Sequence, residues 1–517
     1  MRIETPGGLP TRRRLPACPT TWVLLIWVCF VLRGSFYACA LPLWEGFDEY
    51  AHYARIEFLA TEGREPSRTT PLPQDVAESL TQMPAKNGGM SFDEYWKLAP
   101  EARNKSFPAT KEGIYEAQQP PLFYWLSAIL YRITGNFSLA SHVIAMRIFS
   151  VLLASLSIPF GYRIALRVFG KSTLALQAAA LMAAMPVLTF TATHVGNDGL
   201  AVVVGTLVVW SALERKRAAL LFSLAAALLT KAFFLAFLAP IVLLLFYRDA
   251  RRMAAIALSG AAIIAGWWYW QTWTTTGSLT GNMVLANPSL TKIAWTVLRF
   301  PVLKAADFSW TTFLWTGNWS FLVVRSWMYW GMAVLCAVAV AGVVSLVRKR
   351  DAGVRLLSAF VFWFAMALAY FAVGSVAASS YPGAPGWYAC CLIAPIAILL
   401  LAGLRTAMPR FTAAAGPILA IAFSALELFA THFYLLPYYT GFVSHVPAGG
   451  VPAFRLAQLG NGGFQTMFQR LTLYKPAWMA PPVLIVAWGM FLMATVALAV
   501  ISICFARLDR TRPARAE

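Results

Sequence analysis

The chain has 517 residues, of which 59% are hydrophobic and 12% charged, and its formal net charge is +20. A soluble globule is excluded, because apolar stretches of about 20 residues recur along the chain and match the thickness of a bilayer core. Nucleic acid is excluded as the reason for the positive charge, because the basic residues come as short clusters between apolar stretches, the positive-inside pattern of a polytopic membrane protein.

In chain order, spans are predicted near 22–43, 144–166, 172–192, 199–213, 218–230, 232–247, 254–272, 326–347, 356–377, 388–404, 412–435 and 480–505. No small-residue cleavage pattern follows the stretch 22–43, which is read as a retained first span. The cytoplasmic clusters are then Arg2 with Arg12 to Arg14; Arg163, Arg167 and Lys171; Arg215 to Arg217; Arg248, Arg251 and Arg252; Arg348 to Arg350 with Arg355; Arg405 and Arg410; and Arg507, Arg510, Arg512 and Arg515. The fold class is an all-α polytopic membrane protein with about 12 transmembrane helices (11–13). Its first extracytoplasmic loop is large and carries juxtamembrane helices, and both termini are cytoplasmic. The apolar stretch 120–135 is too short for a full span and is read as a dipping or surface helix of that loop. Seven cysteines lie in or beside apolar segments, which argues against a disulfide framework and a zinc site.

The organisation expected is a cytoplasmic N-terminus at 1–21, a membrane module at 22–272 that includes the outer loop 44–143, a second outer loop at 273–325, C-terminal spans over 326–505 with an outer loop at 436–479, and a cytoplasmic tail at 506–517. The first loop holds 13 of the 22 acidic residues, so carboxylate chemistry is concentrated at one membrane face. Apolar positions Phe47, Ala51, Ala54 and Phe58 predict a helix over Asp48–Thr61, with Gly63 placed to end it. Residues 66–90 read as irregular, and 91–103 as a second short helix with Ser91 as its cap.

On the first of these helices His52 follows Asp48 by four residues and Glu49 by three, so the imidazole can approach either carboxylate. Such a group can act as a base. Glu49 and His52 are also two ligands of a half-built metal site, which leaves a divalent metal ion open but needing other ligands. The competing reading is a solvated, charged first turn, since acidic residues suit a helix N-terminus. Phe92-Asp93-Glu94-Tyr95 repeats the letters of Phe47-Asp48-Glu49-Tyr50 with no histidine at helical spacing, and reads as an ordinary helix start. Asn197 and Asp198 fall in the second outer turn, where Asn-Asp-Gly is normal turn chemistry. Lys231 sits between two apolar runs whose far ends are both basic, so its ammonium lies near the outer face, where it either snorkels or holds a lipid phosphate. Arg33 and Arg147 invite the same phosphate reading. Glu427, inside a span, needs a partner, and His432 is one candidate.

Taken in order, Asp48-Glu49-Tyr50-Ala51-His52-Tyr53, Gln118-Gln119-Pro120-Pro121-Leu122, Met146-Arg147 and Leu229-Thr230-Lys231 resemble the landmarks of the GT-C superfamily of integral membrane glycosyltransferases. The nearest likenesses are the protein O-mannosyltransferases and the lipid A aminoarabinose transferases. The resemblance covers roughly residues 20–250. It implies transfer of a sugar from a polyprenyl-phosphate donor to an acceptor hydroxyl of a lipid, glycan or protein, with inversion. Catalysis would fall to Asp48 and Glu49, the donor phosphate to Lys231, Arg147 and Arg33, and support to His52, Tyr53, Gln119, Asn197 and Asp198. It also implies a bacterial inner membrane protein whose site faces the periplasm. Two positions depart from the pattern: Gln119 stands where mannosyltransferases have His, and Gly386-Trp387-Tyr388 stands where many relatives have Gly-Arg-Tyr. A transporter or flippase is the main alternative, although that class expects polar groups in interrupted spans and often a repeat. A third reading is a non-catalytic assembly factor for surface polysaccharide.

Overall fold

The computed structural model of the chain describes residues 18–84, 90–104, 107, 112–281, 289–379, 383–444, 451–452 and 454–510. Arg2, Arg12 to Arg14, Arg512 and Arg515 of the predicted basic clusters lie outside the described residues. Among the described residues the fold is helical, with one isolated β-bridge between Pro71 and Gly113.

Among the described residues, eight helices are long and apolar enough to cross a membrane. They are Pro19–Ala40, Leu139–Phe169, Arg248–Thr276, Ser326–Arg348, Ala352–Ala378, Gly386–Ala407, Pro409–Tyr439 and Pro481–Asp509. A ninth predicted span, 172–192, is a pair of helices bent by 54° between Ala184 and Pro186, where the proline cannot continue the hydrogen-bond ladder. The other three predicted spans are apolar but shorter: Asp198–Leu213, Arg217–Leu228 and Ala232–Phe246. At 1.5 Å per residue a 12-residue helix reaches about 18 Å, so the count of twelve depends on these three shorter segments and is not confirmed by helix length. Much of these shorter segments is buried against other helices, where irregular backbone is tolerated at membrane depth.

The first helix, Pro19–Ala40, packs against Pro481–Arg510 and Leu139–Ser155. Trp22 and Phe505 meet edge to face at 5.2 Å, so the two ends of the described chain emerge on one side of the bundle. Arg405 pairs with Asp509 at 2.9 Å and Arg215 with Asp249 at 2.5 Å, which gathers predicted basic clusters at that end and between neighbouring helices. Ser326–Arg348 and Ile393–Ala407 touch backbone to backbone at Gly342 and Gly403, where any side chain would enter the facing carbonyl.

The first loop forms the helix Glu49–Glu62, ended by Gly63 in the left-handed region at φ +69°. The stretch read as irregular holds a short helix, Gln74–Ser79, and the predicted second helix is two pieces, Phe92–Lys97 and Pro100–Arg103. Leu122–Ile133 is a 12-residue helix with Trp125, Ile129 and Ile133 exposed. Three hydrogen bonds at Glu45 fasten the loop. Buried Glu45 accepts hydrogen bonds from Ser320 Oγ at 2.9 Å and Tyr439 Oη at 3.1 Å, while its backbone carbonyl takes the Trp319 N–H at 3.0 Å. Burial pushes the Glu45 carboxyl up to about 7, with the two hydroxyls opposing the shift.

Candidate active site

Asp48 closes the turn that leads out of the first helix and stands at the N-cap of Glu49–Glu62, with φ +52° and ψ +20°. A non-glycine residue in that region is uncommon, and aspartate tolerates it better than most. Its carboxylate does not cap the helix. Instead the Tyr115 hydroxyl donates to Asp48 Oδ1 at 2.6 Å. Tyr115 opens the short turn Tyr115–Gln118, so the tyrosine draws that turn, with Glu116, towards the aspartate.

The first turn of this helix is not solvated. Glu49 is fully buried and accepts from Arg147 Nε at 2.7 Å, from Arg147 Nη2 at 2.6 Å and from the Val195 N–H at 2.9 Å. Burial works against the charge on Glu49, but the Arg147 guanidinium and these hydrogen bonds outweigh it and hold the carboxyl below its usual range. Arg147 gives its remaining donors to the carbonyls of Ala38, Leu41 and Pro42 at 3.2, 2.9 and 2.7 Å. All five guanidinium N–H groups are engaged, three of the bonds going to the carbonyls that end the first helix. Gly46 lies against the His194 side chain, at a spacing no Cβ could share.

His52 is buried, with Nδ1 2.7 Å from the Tyr124 hydroxyl and 4.0 Å from Glu116 Oε2. Burial and then the Lys231 charge push its pKa down, so the ring is neutral. Tyr53 packs its ring against Trp44 and Tyr131, at 5.6 and 6.2 Å. Lys231 pairs with Asp198 Oδ1, and its ammonium lies 5.4 and 5.2 Å from the ring centres of Phe233 and Tyr388. Asp198 Oδ2 is 3.6 Å from His194 Nε2, and Asn197 Nδ2 donates to the Thr230 carbonyl at 3.2 Å. The turn 194–198 is thus fastened directly to Thr230 and Lys231. Arg33 is elsewhere: it pairs with Glu427 between membrane helices, both residues buried. Glu427 therefore has Arg33 as its partner and not His432, which lies with Nδ1 2.7 Å from the Leu428 carbonyl and accepts the Trp488 indole N–H at 2.8 Å.

Two residues that the sequence did not single out complete the site. Glu116 is 5% exposed, and its Oε2 has no hydrogen-bond partner. Burial, and then the Asp48 charge, push its carboxyl up to about 8, against the pull of Gln119, Lys231 and Arg55. Arg55 donates from Nη1 to the carbonyls of Glu116 and Gln119 at 2.9 and 2.8 Å, pairs with Glu65, and lies 3.8 Å above the Tyr124 ring. It holds the 116–119 turn in place. Positions 48, 52 and 55 fall on one helical face, a signal that could have found Arg55.

Beside this cluster lies a cavity of about 360 Å³. Glu116, Gln118, Gln119 and Lys231 form its polar end, and Phe233, Phe364, Phe371 and Tyr388 are among its apolar walls. The neighbouring Trp387 stacks on Phe47 at 4.0 Å, so the position that carries arginine in many relatives has an aromatic contact here. Among the described residues no three His, Cys, Asp or Glu side chains come together as metal ligands, and Glu49 is committed to Arg147. The residues present do not fit a metal ion at Glu49 and His52.

Residues 118–270 match the family described as dolichyl-phosphate-mannose-protein mannosyltransferase. No curated protein matches the chain. Among solved structures, ArnT from Cupriavidus metallidurans bound to undecaprenyl phosphate is 14% identical, over 95% of this chain and 79% of that one, with a TM-score of 0.45. The Archaeoglobus fulgidus oligosaccharyltransferase in complex with Zn and sulfate is 13% identical, over 89% of this chain and 58% of that one, with a TM-score of 0.42.

Proposed function

We propose that this chain, a GT-C superfamily integral membrane glycosyltransferase by its mannosyltransferase-family match over residues 118–270, moves a sugar from a polyprenyl-phosphate donor to an acceptor hydroxyl. The observation that carries the reading is the cavity, which pairs a cation with an apolar trough. A lipid-linked sugar offers a phosphate and a long tail, and Lys231 with the rings of Phe233, Phe364 and Phe371 suits both. Asp48, held by Tyr115 beside the cavity, takes the proton of the acceptor hydroxyl as it attacks the anomeric carbon. The bond from that carbon to the phosphate oxygen breaks, the released phosphate stays on Lys231, and a single displacement inverts the configuration.

Glu116 lies next to Asp48 as a neutral acid, so Asp48 carries the negative charge of the pair. We assign Glu49 and Arg147 to holding the first helix against the active loop, and Arg33 to pairing Glu427, which leaves the phosphate to Lys231. The membrane is the bacterial inner membrane, with the site towards the periplasm. A thiol introduced at exposed Gly135 should react with an impermeant reagent from outside, and reaction only after permeabilisation overturns that sidedness.

The direct test is transfer of labelled sugar from a polyprenyl-phosphate donor by the purified chain. Transfer by the wild type and its loss in Asp48→Asn are expected. Wild-type turnover in that variant sinks the assignment, and passage of the donor across vesicles with no transfer marks a transporter instead.

A further inference from the structure

The cavity beside Asp48 is not the only cleft in the bundle. A second, of about 600 Å³, opens where the basic clusters gather, and Arg167, Arg215, Arg355, Asp249 and Asp351 supply its charged lining. The helix Asp198–Leu213 has Asp198 in the active cluster and Leu213 in this cleft, so its 16 residues separate the two sites by about 24 Å. The two sites therefore lie at opposite ends of one helix.

The charges do not cancel evenly. Asp249 is matched by Arg215 at 2.5 Å. Asp351 accepts the Val354 N–H at 2.9 Å, at the start of the helix Ala352–Ser379. Among the described residues, Arg167 and Arg355 pair with no carboxylate, and both are exposed at the cleft. Leu243, Leu244 and Leu356 continue the lining, on helices that run into the apolar bundle. The lining sets three guanidinium groups against two carboxylates, and the two guanidinium groups free of ion pairs, above aliphatic walls, suit an anion with an apolar body: the planar forks bind phosphate oxygens in pairs, and the leucines cover acyl chain.

We propose that this cleft binds a phosphate-bearing anion, the headgroup of an anionic phospholipid, at the end of the bundle opposite the transfer site. The site is independent of the glycosyltransferase reading, since neither Asp48 nor Lys231 contributes to it.

The test is thermal unfolding of the delipidated full chain in detergent, titrated with phosphatidylglycerol, with phosphatidylcholine of the same chain length, and with inorganic phosphate. Phosphatidylglycerol should raise the unfolding temperature and phosphatidylcholine should not. Arg167→Gln/Arg355→Gln, both at exposed positions, should raise the half-saturating phosphatidylglycerol concentration at least about tenfold. Arg163→Gln, on the same helix as Arg167 but outside the cleft lining, should leave it unchanged. Equal stabilisation by the two lipids, an unmoved double variant, or an equal shift in Arg163→Gln overturns the proposal. Stabilisation by inorganic phosphate alone, lost in the double variant, keeps the phosphate site and overturns the lipid as its occupant.

Discussion

Phe47-Asp48-Glu49-Tyr50 and Phe92-Asp93-Glu94-Tyr95 are the same four letters in two environments. In the first, Asp48 adopts left-handed backbone and receives the Tyr115 hydroxyl, while Glu49 is buried against Arg147. In the second, Glu94 reaches back to the Ser91 N–H at 2.9 Å and Asp93 meets Ser91, Ser444 and exposed Lys97. One copy opens a helix fixed to the membrane bundle beside a cavity, and the other caps a six-residue helix in the loop. Chemistry here follows from what the tertiary fold brings against the carboxylates. The tetrapeptide alone does not decide it.

The sharpest way to break this contrast is Asp48→Asn. Losing a positioned base costs roughly 10²- to 10⁴-fold in rate, so transfer should fall by that order with the unfolding temperature unchanged. Glu49→Ala should act on stability instead. It strands the buried Arg147 guanidinium, and breaking a buried pair from one side costs about 3–5 kcal/mol, read as lost yield or a lower unfolding midpoint. A folded Glu49→Ala protein with wild-type stability removes the structural role given to the pair.

Lys231 needs a paired design, because Lys231→Met alone leaves Asp198 as a buried unpaired carboxylate. Lys231→Met/Asp198→Asn compared with Asp198→Asn should show donor affinity weaker by roughly ten- to a hundredfold, the worth of a charge-assisted hydrogen bond. Equal affinities reduce Lys231 to a partner of Asp198. Glu116 makes the contrast dependent on pH. Its carboxyl titrates near 8 in the fold and near 4.5 when unfolded, so the folded chain keeps a proton that the unfolded chain has released, and stability falls as pH rises through that window. Glu45 and Glu57, both pushed up to about 7, add to the same slope. Glu116→Gln should therefore have a shallower fall in unfolding midpoint than the wild type between pH 5 and pH 8.5, and an identical slope removes its raised pKa. The smallest effect belongs to Asp93→Asn: its Lys97 partner is exposed, such pairs contribute about 1 kcal/mol or less, and transfer should stay near wild type. Comparable losses from Asp48→Asn and Asp93→Asn end the distinction between the copies.

The long spans are legible in sequence because a bilayer imposes apolar length locally, as at Pro19–Ala40 and Pro481–Arg510. The helix Glu49–Glu62 and its Gly63 stop are legible for a similar reason, since apolar spacing and a left-handed glycine are properties of adjacent residues. Partnerships are not. Arg147 and Glu49 are 98 residues apart, and nothing near either position distinguishes a guanidinium that will close a loop from one that will hold a phosphate. Glu116 passed as one acid among the many of the first loop, because its character comes from burial and from Asp48 across the Tyr115 turn. Nor does Gly-Asn-Asp-Gly foretell that Asp198 meets Lys231, 33 residues onward.

The Arg33–Glu427 pair joins residues 394 apart, between the first helix and Ala415–Ala430. During synthesis Arg33 enters the membrane long before its counter-charge exists, and an unpaired charge at membrane depth is costly. A chain cut short before residue 415 therefore keeps a lone guanidinium among its helices and lacks the ion pair that the full chain forms. Chains ending before and after that helix should differ sharply in cellular half-life, and Arg33→Leu should lengthen the survival of the shorter one.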